Sequence, residues 1–138
     1  MLACCASRRF ASAMAAGRPY ASVDAALAAV SAVFESLTWD DVLEAMDRHP
    51  RIGDRASGQS AVEQSGVGDA SRAALAAGNL RYEETFGHVF LICATGLSGE
   101  QMLAALQQRL TNDPFTERAV ATAELRKITA LRVGKALG

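Results

Sequence analysis

His88-Val89-Phe90-Leu91-Ile92-Cys93-Ala94-Thr95-Gly96 is the stretch on which the fold class turns. It is a short apolar run, with Gly87 just ahead of it and Gly96 at its end. A run of this length suits a buried strand and a buried helical turn equally, and periodicity does not separate the two. The rest of the chain does. A strand needs a neighbour to satisfy its backbone N–H and C=O groups, and no second strand candidate occurs in the sequence. The run is therefore expected to be a helix end or an extended buried segment lying among helices.

Its flanks read as helix. Upstream, a helix is expected from about Asp69 to Phe86, with Leu75, Asn79, Tyr82 and Phe86 on one stripe and Gly87 breaking it. Asn79 is then polar where a core residue belongs, and it is either exposed at the stripe edge or a buried hydrogen-bonding group. Downstream, Ser98 and Gln101 make a capping box for a helix carrying Met102, Leu103, Leu106 and Leu110. Asn112-Asp113-Pro114 stops that helix and starts another, because Asp113 can cap and Pro114 suits a first turn. The last helix, to about Lys135, is expected to bury Ala121, Leu125, Ile128 and Leu131. Arg132 follows Ile128 by four residues and Leu125 by seven, which aims it at the core side. A guanidinium there either snorkels or lines a pocket and holds an anion.

Toward the N-terminus, Ser22 is a good N-cap for a helix burying Val23, Ala26, Leu27, Val30, Phe34 and Leu37. Thr38 can cap the next, which carries Trp39, Val42, Leu43 and Met46, with Asp40 and Asp41 at its positive end. That helix leads to His49-Pro50-Arg51-Ile52-Gly53-Asp54. A residue before proline is pushed out of the α region, so His49 should stand on a stiff corner just past a helix end. Two readings are open: an ordinary helix stop with solvated charges, or an imidazole poised for proton transfer. Beyond it, Ser60-Ala61-Val62-Glu63-Gln64 contains a second capping box, but Gly66 and Gly68 leave little room for a long helix behind it.

The first 23 residues hold Arg8, Arg9 and Arg18 and no acid, which fits a transit peptide. The favoured reading is an amphipathic first helix with Leu2, Cys5, Phe10 and Met14 as its apolar residues. No internal repeat, linker or low-complexity tract is present. Residues 1–138 therefore read as one all-α domain, a bundle of about six to eight helices.

Composition narrows the function. Half of the residues are hydrophobic, 21% are charged and the net charge is −1, a globular balance with no basic block for nucleic acid or an anionic membrane. No apolar run approaches the roughly 20 residues that span a bilayer. Cys4, Cys5 and Cys93 are odd in number, and adjacent cysteines make a poor disulfide, so a reducing compartment fits. Phosphate-cradling glycine loops and metal-ligand motifs are missing. The only lysines, Lys127 and Lys135, sit near the C-terminus, away from any place for a buried Schiff base. What remains is His49 to give or take a proton, Glu63 beside it, Gln64 and Asn79 to hydrogen-bond, and Arg51 or Arg132 for an anion. Cofactor-free proton transfer is within reach of that set. An interaction module could contain it too.

Read together, the motifs carry a resemblance. His49-Pro50-Arg51-Ile52-Gly53, Ser60-x-x-Glu63-Gln64-x-Gly66, Asn79-x-x-Tyr82-x-x-x-Phe86-Gly87, Phe90-Leu91-Ile92-Cys93-Ala94-x-Gly96 and a terminal Leu131-Arg132 occur in this order, behind an early Cys4-Cys5-x-Ser7-Arg8-Arg9. The sequence resembles the 2-oxo-4-hydroxy-4-carboxy-5-ureidoimidazoline (OHCU) decarboxylase family of urate degradation over nearly its whole length. The resemblance implies an all-α homodimer without metal or organic cofactor, releasing carbon dioxide and (S)-allantoin. It implies His49 as the catalytic proton donor and Glu63 as the acid assisting it. Pro50, Ser60 and Gln64 match substrate-contacting positions, and Arg132 matches an active-site arginine. Phe90, Leu91, Ile92, Cys93 and Ala94 match a segment whose backbone contacts the substrate. A helical segment usual ahead of the Cys-Cys motif is expected to be truncated here or to start further upstream. Phe10 stands where a tryptophan is common. No C-terminal Ser-Lys-Leu address is present, and a cytoplasmic location is expected.

Overall fold

The computed structural model describes residues 5–47 and 69–137, and all structural statements concern these. They form six helices and no strand: α1 (Arg8–Ala16), α2 (Val23–Ser36), α3 (Trp39–Met46), α4 (Asp69–Phe86), α5 (Gly99–Arg109) and α6 (Pro114–Leu137). The fold class is all-α, as expected. The chain divides into two compact units, Met1–Arg48 with Thr122–Gly138, and His49–Ala121.

In the first unit each helix starts at a residue whose side chain replaces a missing backbone acceptor. The Ser7 hydroxyl accepts from the Phe10 N–H at 3.2 Å, and the Ser22 hydroxyl from the Ala25 N–H at 3.0 Å. Thr38 and Asp41 form a reciprocal capping box at the start of α3. The Thr38 backbone N–H, bonded to the Asp41 carboxylate at 2.9 Å, is the main cause holding that carboxyl below its ordinary pKa. The apolar stripes behind these caps bury Phe10, Met14, Ala26, Val30, Phe34, Val42, Ala45 and Met46. The Phe10 and Phe34 rings meet with centroids 5.7 Å apart.

Two expectations need correction in this unit. The first helix begins only at Arg8, with Ser7 as its cap, so Cys5 is buried ahead of the helix and not on it. Leu131 was placed in the core stripe of α6 but is 41% exposed. The buried residues of this part of α6 are Leu125, Ile128, Thr129 and Val133. Leu131 lies two residues from both Thr129 and Val133, about 200° round a 3.6-residue helix, and therefore faces outward. Arg132, one residue on, is half-buried at the edge of that stripe.

In the second unit α4 and α5 pack on each other and enclose the run from Phe90. Leu75, Tyr82, Phe90, Ile92, Ala94, Met102 and Leu106 form one buried cluster. Gly78 lets the two helices close up, because a Cβ there would overlap Leu106 Cδ2. Asn79 is 1% exposed, so of its two readings the buried one holds. The deciding run is neither helix nor strand, and its Phe90–Ala94 part is largely buried between α4 and α5. Positive φ at Gly87 (79°) and Gly96 (81°) turns the chain at its two ends, a conformation L side chains avoid. At the first of these the Gly87 N–H bonds the Glu83 carbonyl at 2.8 Å, a left-handed C-cap of α4.

Candidate functional site

His49, Pro50, Arg51, Ser60, Glu63 and Gln64 lie outside the described residues. Two parts of the expected site are described. One is the segment Phe90–Ala94 in the second unit; the other is Arg132 in the first.

The segment is held by its side chains first. Phe90, Leu91, Ile92 and Ala94 are buried, and Phe90, Ile92 and Ala94 belong to the α4–α5 cluster. Cys93 is half-buried. The Phe90 and Tyr82 rings meet edge to face at 5.3 Å, and His88 packs against Tyr82 at 5.5 Å. A buried chain outside helix and sheet still has to satisfy its polar backbone groups. The Ala94 carbonyl accepts from the Leu97 N–H at 3.0 Å, closing the Gly96 turn.

The Leu91 carbonyl is met by a buried arginine. Arg109 Nη1 donates to it at 2.6 Å, while Nε of the same guanidinium donates to Glu117 Oε1 at 2.5 Å. The Tyr82 hydroxyl donates to that same carboxylate oxygen at 2.8 Å, and Asn112 Nδ2 to Oε2 at 3.1 Å. The guanidinium carbon lies 4.6 Å from the Phe90 ring centroid and 5.8 Å from that of Tyr82. Arg109 is 7% exposed and Glu117 fully buried. Among the described residues Arg109 Nη2 has no hydrogen-bond partner.

Local sequence explains how these groups reach each other. The Ser98–Gln101 box starts α5 so that Arg109 falls three residues after Leu106 and seven after Met102, on the buried face. Asp113 starts α6 by accepting from the Thr116 N–H at 2.9 Å, which sets Glu117 in its first turn, where the helix dipole favours an anion. Sequence reasoning missed this network. An arginine in a helix's last turn reads as a complement to its dipole, and the hydrophobic period of α5 was the one signal of its burial.

Burial, and next the hydrogen bond to Glu117, drive the Tyr82 phenol above the ordinary tyrosine range. The unfolded chain's phenol ionises from about pH 10 while the buried one stays protonated. A folded-state pKa that is raised gives stability complete below the unfolded value and lost as the pH climbs beyond it. Thermal melts from about pH 8 to 11 are therefore expected to fall more steeply for wild type than for Tyr82→Phe; parallel curves would contradict this.

Among the described residues no cluster of three or more His, Cys, Asp or Glu is placed to hold a metal. None of the described helices is long and apolar enough to cross a membrane. A surface cavity of about 500 Å³ lined by Arg18, Pro19, Tyr20, Ser22, Val23 and Leu137 contains none of the expected site residues.

The chain as a whole is similar to known proteins. The crystal structure of an OHCU decarboxylase in the presence of (S)-allantoin matches with a TM-score of 0.89 at 34% identity, covering 99% of this chain and 95% of that one. The 2-oxo-4-hydroxy-4-carboxy-5-ureidoimidazoline decarboxylase of Amia calva is 31% identical over an alignment of 134 positions that covers 89% of this chain and 77% of the relative. The uric acid degradation bifunctional protein TTL of Arabidopsis thaliana is 36% identical over an alignment of 144 positions that covers 96% of this chain and 44% of that protein. The chain thus spans less than half the length of the Arabidopsis relative. The class so defined is an all-α decarboxylase. Within it, the chain belongs to the OHCU decarboxylase family, whose model matches residues 1–134.

Proposed function

We propose that this protein removes carbon dioxide from 2-oxo-4-hydroxy-4-carboxy-5-ureidoimidazoline and delivers one proton to one face of the ring, giving (S)-allantoin. The observation that carries the reading is the likeness, over nearly the full length of both chains, to an OHCU decarboxylase structure obtained with (S)-allantoin. The ordered motifs from His49 to Arg132 support it independently.

The chemistry asks little of the protein. Cleaving the bond to the carboxylate leaves an electron pair, and decarboxylases facing a substrate without a sink recruit one from a cofactor. The conjugated C=N of this ring accepts the pair itself, so the reading includes no cofactor. His49 then supplies the proton, as an imidazole suits near neutral pH. A Glu63 carboxylate beside it favours the imidazolium form. Pro50, Ser60 and Gln64 orient the ring, the backbone of Phe90–Ala94 hydrogen-bonds it, and Arg132 supplies a cation for an anionic group. Protonation on a single face accounts for a single enantiomer. The reading further takes the protein as a cytoplasmic homodimer.

Time-resolved polarimetry on substrate freshly generated from urate tests it. The purified chain is expected to produce a transient rise of (S)-allantoin rotation, faster than the spontaneous reaction. Racemic product at the spontaneous rate would leave a helical interaction module that kept the fold without the activity.

A further inference from the structure

The Leu91 carbonyl has an unusual partner. It lies inside the Phe90–Ala94 segment, where neither a helix nor a strand ladder satisfies the backbone, and it is bonded by the buried Arg109 guanidinium at 2.6 Å. Charged donors make short, directional bonds of this kind. The guanidinium has little freedom of its own. Its Nε is committed to Glu117, and its face lies against the Phe90 ring. Because the fork is planar and rigid, the place of the Glu117 carboxylate dictates the place of Nη1, and Nη1 dictates that of the Leu91 oxygen.

Stability alone is a weak reason for such a pair. A buried arginine–glutamate pair loses most of its Coulombic gain to desolvation, and an apolar pair of the same volume often serves the fold equally well. What the pair adds is geometry. The peptide joining Leu91 to Ile92 is planar and trans, so its C=O and N–H point in opposite directions. Drawing the Leu91 carbonyl onto Arg109 aims the Ile92 N–H away from the ion pair. Among the described residues nothing accepts from that N–H.

We propose that Arg109 is a positioning residue for the decarboxylation. Acting through the Leu91 carbonyl and anchored by Glu117, it presents the Ile92 N–H as a donor to an oxygen of the ureidoimidazoline. This rests on the reading of Phe90–Ala94 as substrate-contacting. Tyr82 and Asn112 serve the same end by holding the carboxylate on which the arginine is registered. A lysine would keep the charge beside Glu117 but would lose the coplanar second donor that ties the two bonds together.

The test uses the full chain with the double substitution Arg109→Met/Glu117→Gln, which leaves no buried charge and keeps an acceptor for Tyr82 and Asn112. Arg109→Lys is the second variant, should the double one fail to fold. Both are compared with wild type by helical circular dichroism, by KM and kcat on freshly generated substrate, and by the 1H–15N shift of the Ile92 amide with and without (S)-allantoin. The variants are expected to melt cooperatively, to raise KM about tenfold with kcat changed far less, and to lose most of the shift that (S)-allantoin causes at the Ile92 amide of wild type. A merely structural role would lower the folded fraction and leave KM of the remainder alone, and that result overturns the proposal. An Ile92 amide that answers (S)-allantoin in a folded variant as it does in wild type overturns it too. An inactive wild type would instead sink the functional reading, and the Ile92 shift without ligand would still decide whether Arg109 orients the segment.

Discussion

His49→Asn is expected to lower the enzymatic formation of (S)-allantoin by about 10²- to 10⁴-fold, the usual worth of a positioned acid or base. The helical circular dichroism should not change. The motif holds a single imidazole directly ahead of a proline, a position that disfavours helix. On the proposed reading, the protein's contribution over the spontaneous reaction is rate and handedness. An asparagine fills part of the space and can hydrogen-bond, but it holds no transferable proton near neutral pH. The residual product should therefore drift toward the racemate as the spontaneous reaction takes over. Polarimetry reads both effects in one trace. A variant that still made one enantiomer at the wild-type rate would remove His49 from the mechanism. Glu63→Gln sharpens the point, because Ser60 and Glu63 also spell a capping box. Lower turnover at an unchanged melting temperature marks Glu63 as the partner of His49, and the reverse pattern marks it as a cap.

Glu117→Leu is expected to carry the largest stability cost, about 3–5 kcal/mol, as when one partner of a buried ion pair is removed. Three donors meet this carboxylate: Arg109 Nε, the Tyr82 hydroxyl and Asn112 Nδ2. Leucine offers none of them an acceptor, and it leaves a guanidinium that is 7% exposed without its counter-charge. Urea denaturation at neutral pH measures the loss as a lower midpoint at unchanged slope. Exposed pairs set the scale for comparison. Lys127–Glu124, at 2.6 Å with the lysine 58% exposed, belongs to the class worth at most about 1 kcal/mol. A loss of that size on Glu117→Leu would mean that the buried network is not the charged clamp described here.

Most helices were legible because their signals are local. Ser22, Thr38, Ser98 and Asp113 each sit next to the helix they start, and the donor they satisfy lies three residues on. Gly87 ends α4 where it was expected to, because a left-handed C-cap needs only one suitable residue. That the buried run forms no strand was legible by exclusion, since a lone strand has no neighbour to pair with. Leu131 was misplaced because the direction in which a buried stripe drifts depends on the surface it packs against, which an isolated helical period does not contain. Asn79 was left open for a similar reason, as a stripe's edge is defined by its neighbour.

By itself, then, the sequence determined most of the helices and their caps, the family and the order of the motif residues from His49 to Arg132, since each of these is written in residues a few positions apart or in a set order along the chain. Only the tertiary structure decided that Arg109 meets Glu117 across the break between α5 and α6, that Tyr82 reaches the same carboxylate from 35 residues away, and that the Leu91 carbonyl is what the arginine holds. Such contacts follow from where two helices end and how closely a third packs, and packing is a property of the folded surfaces together, which no single stretch of residues encodes.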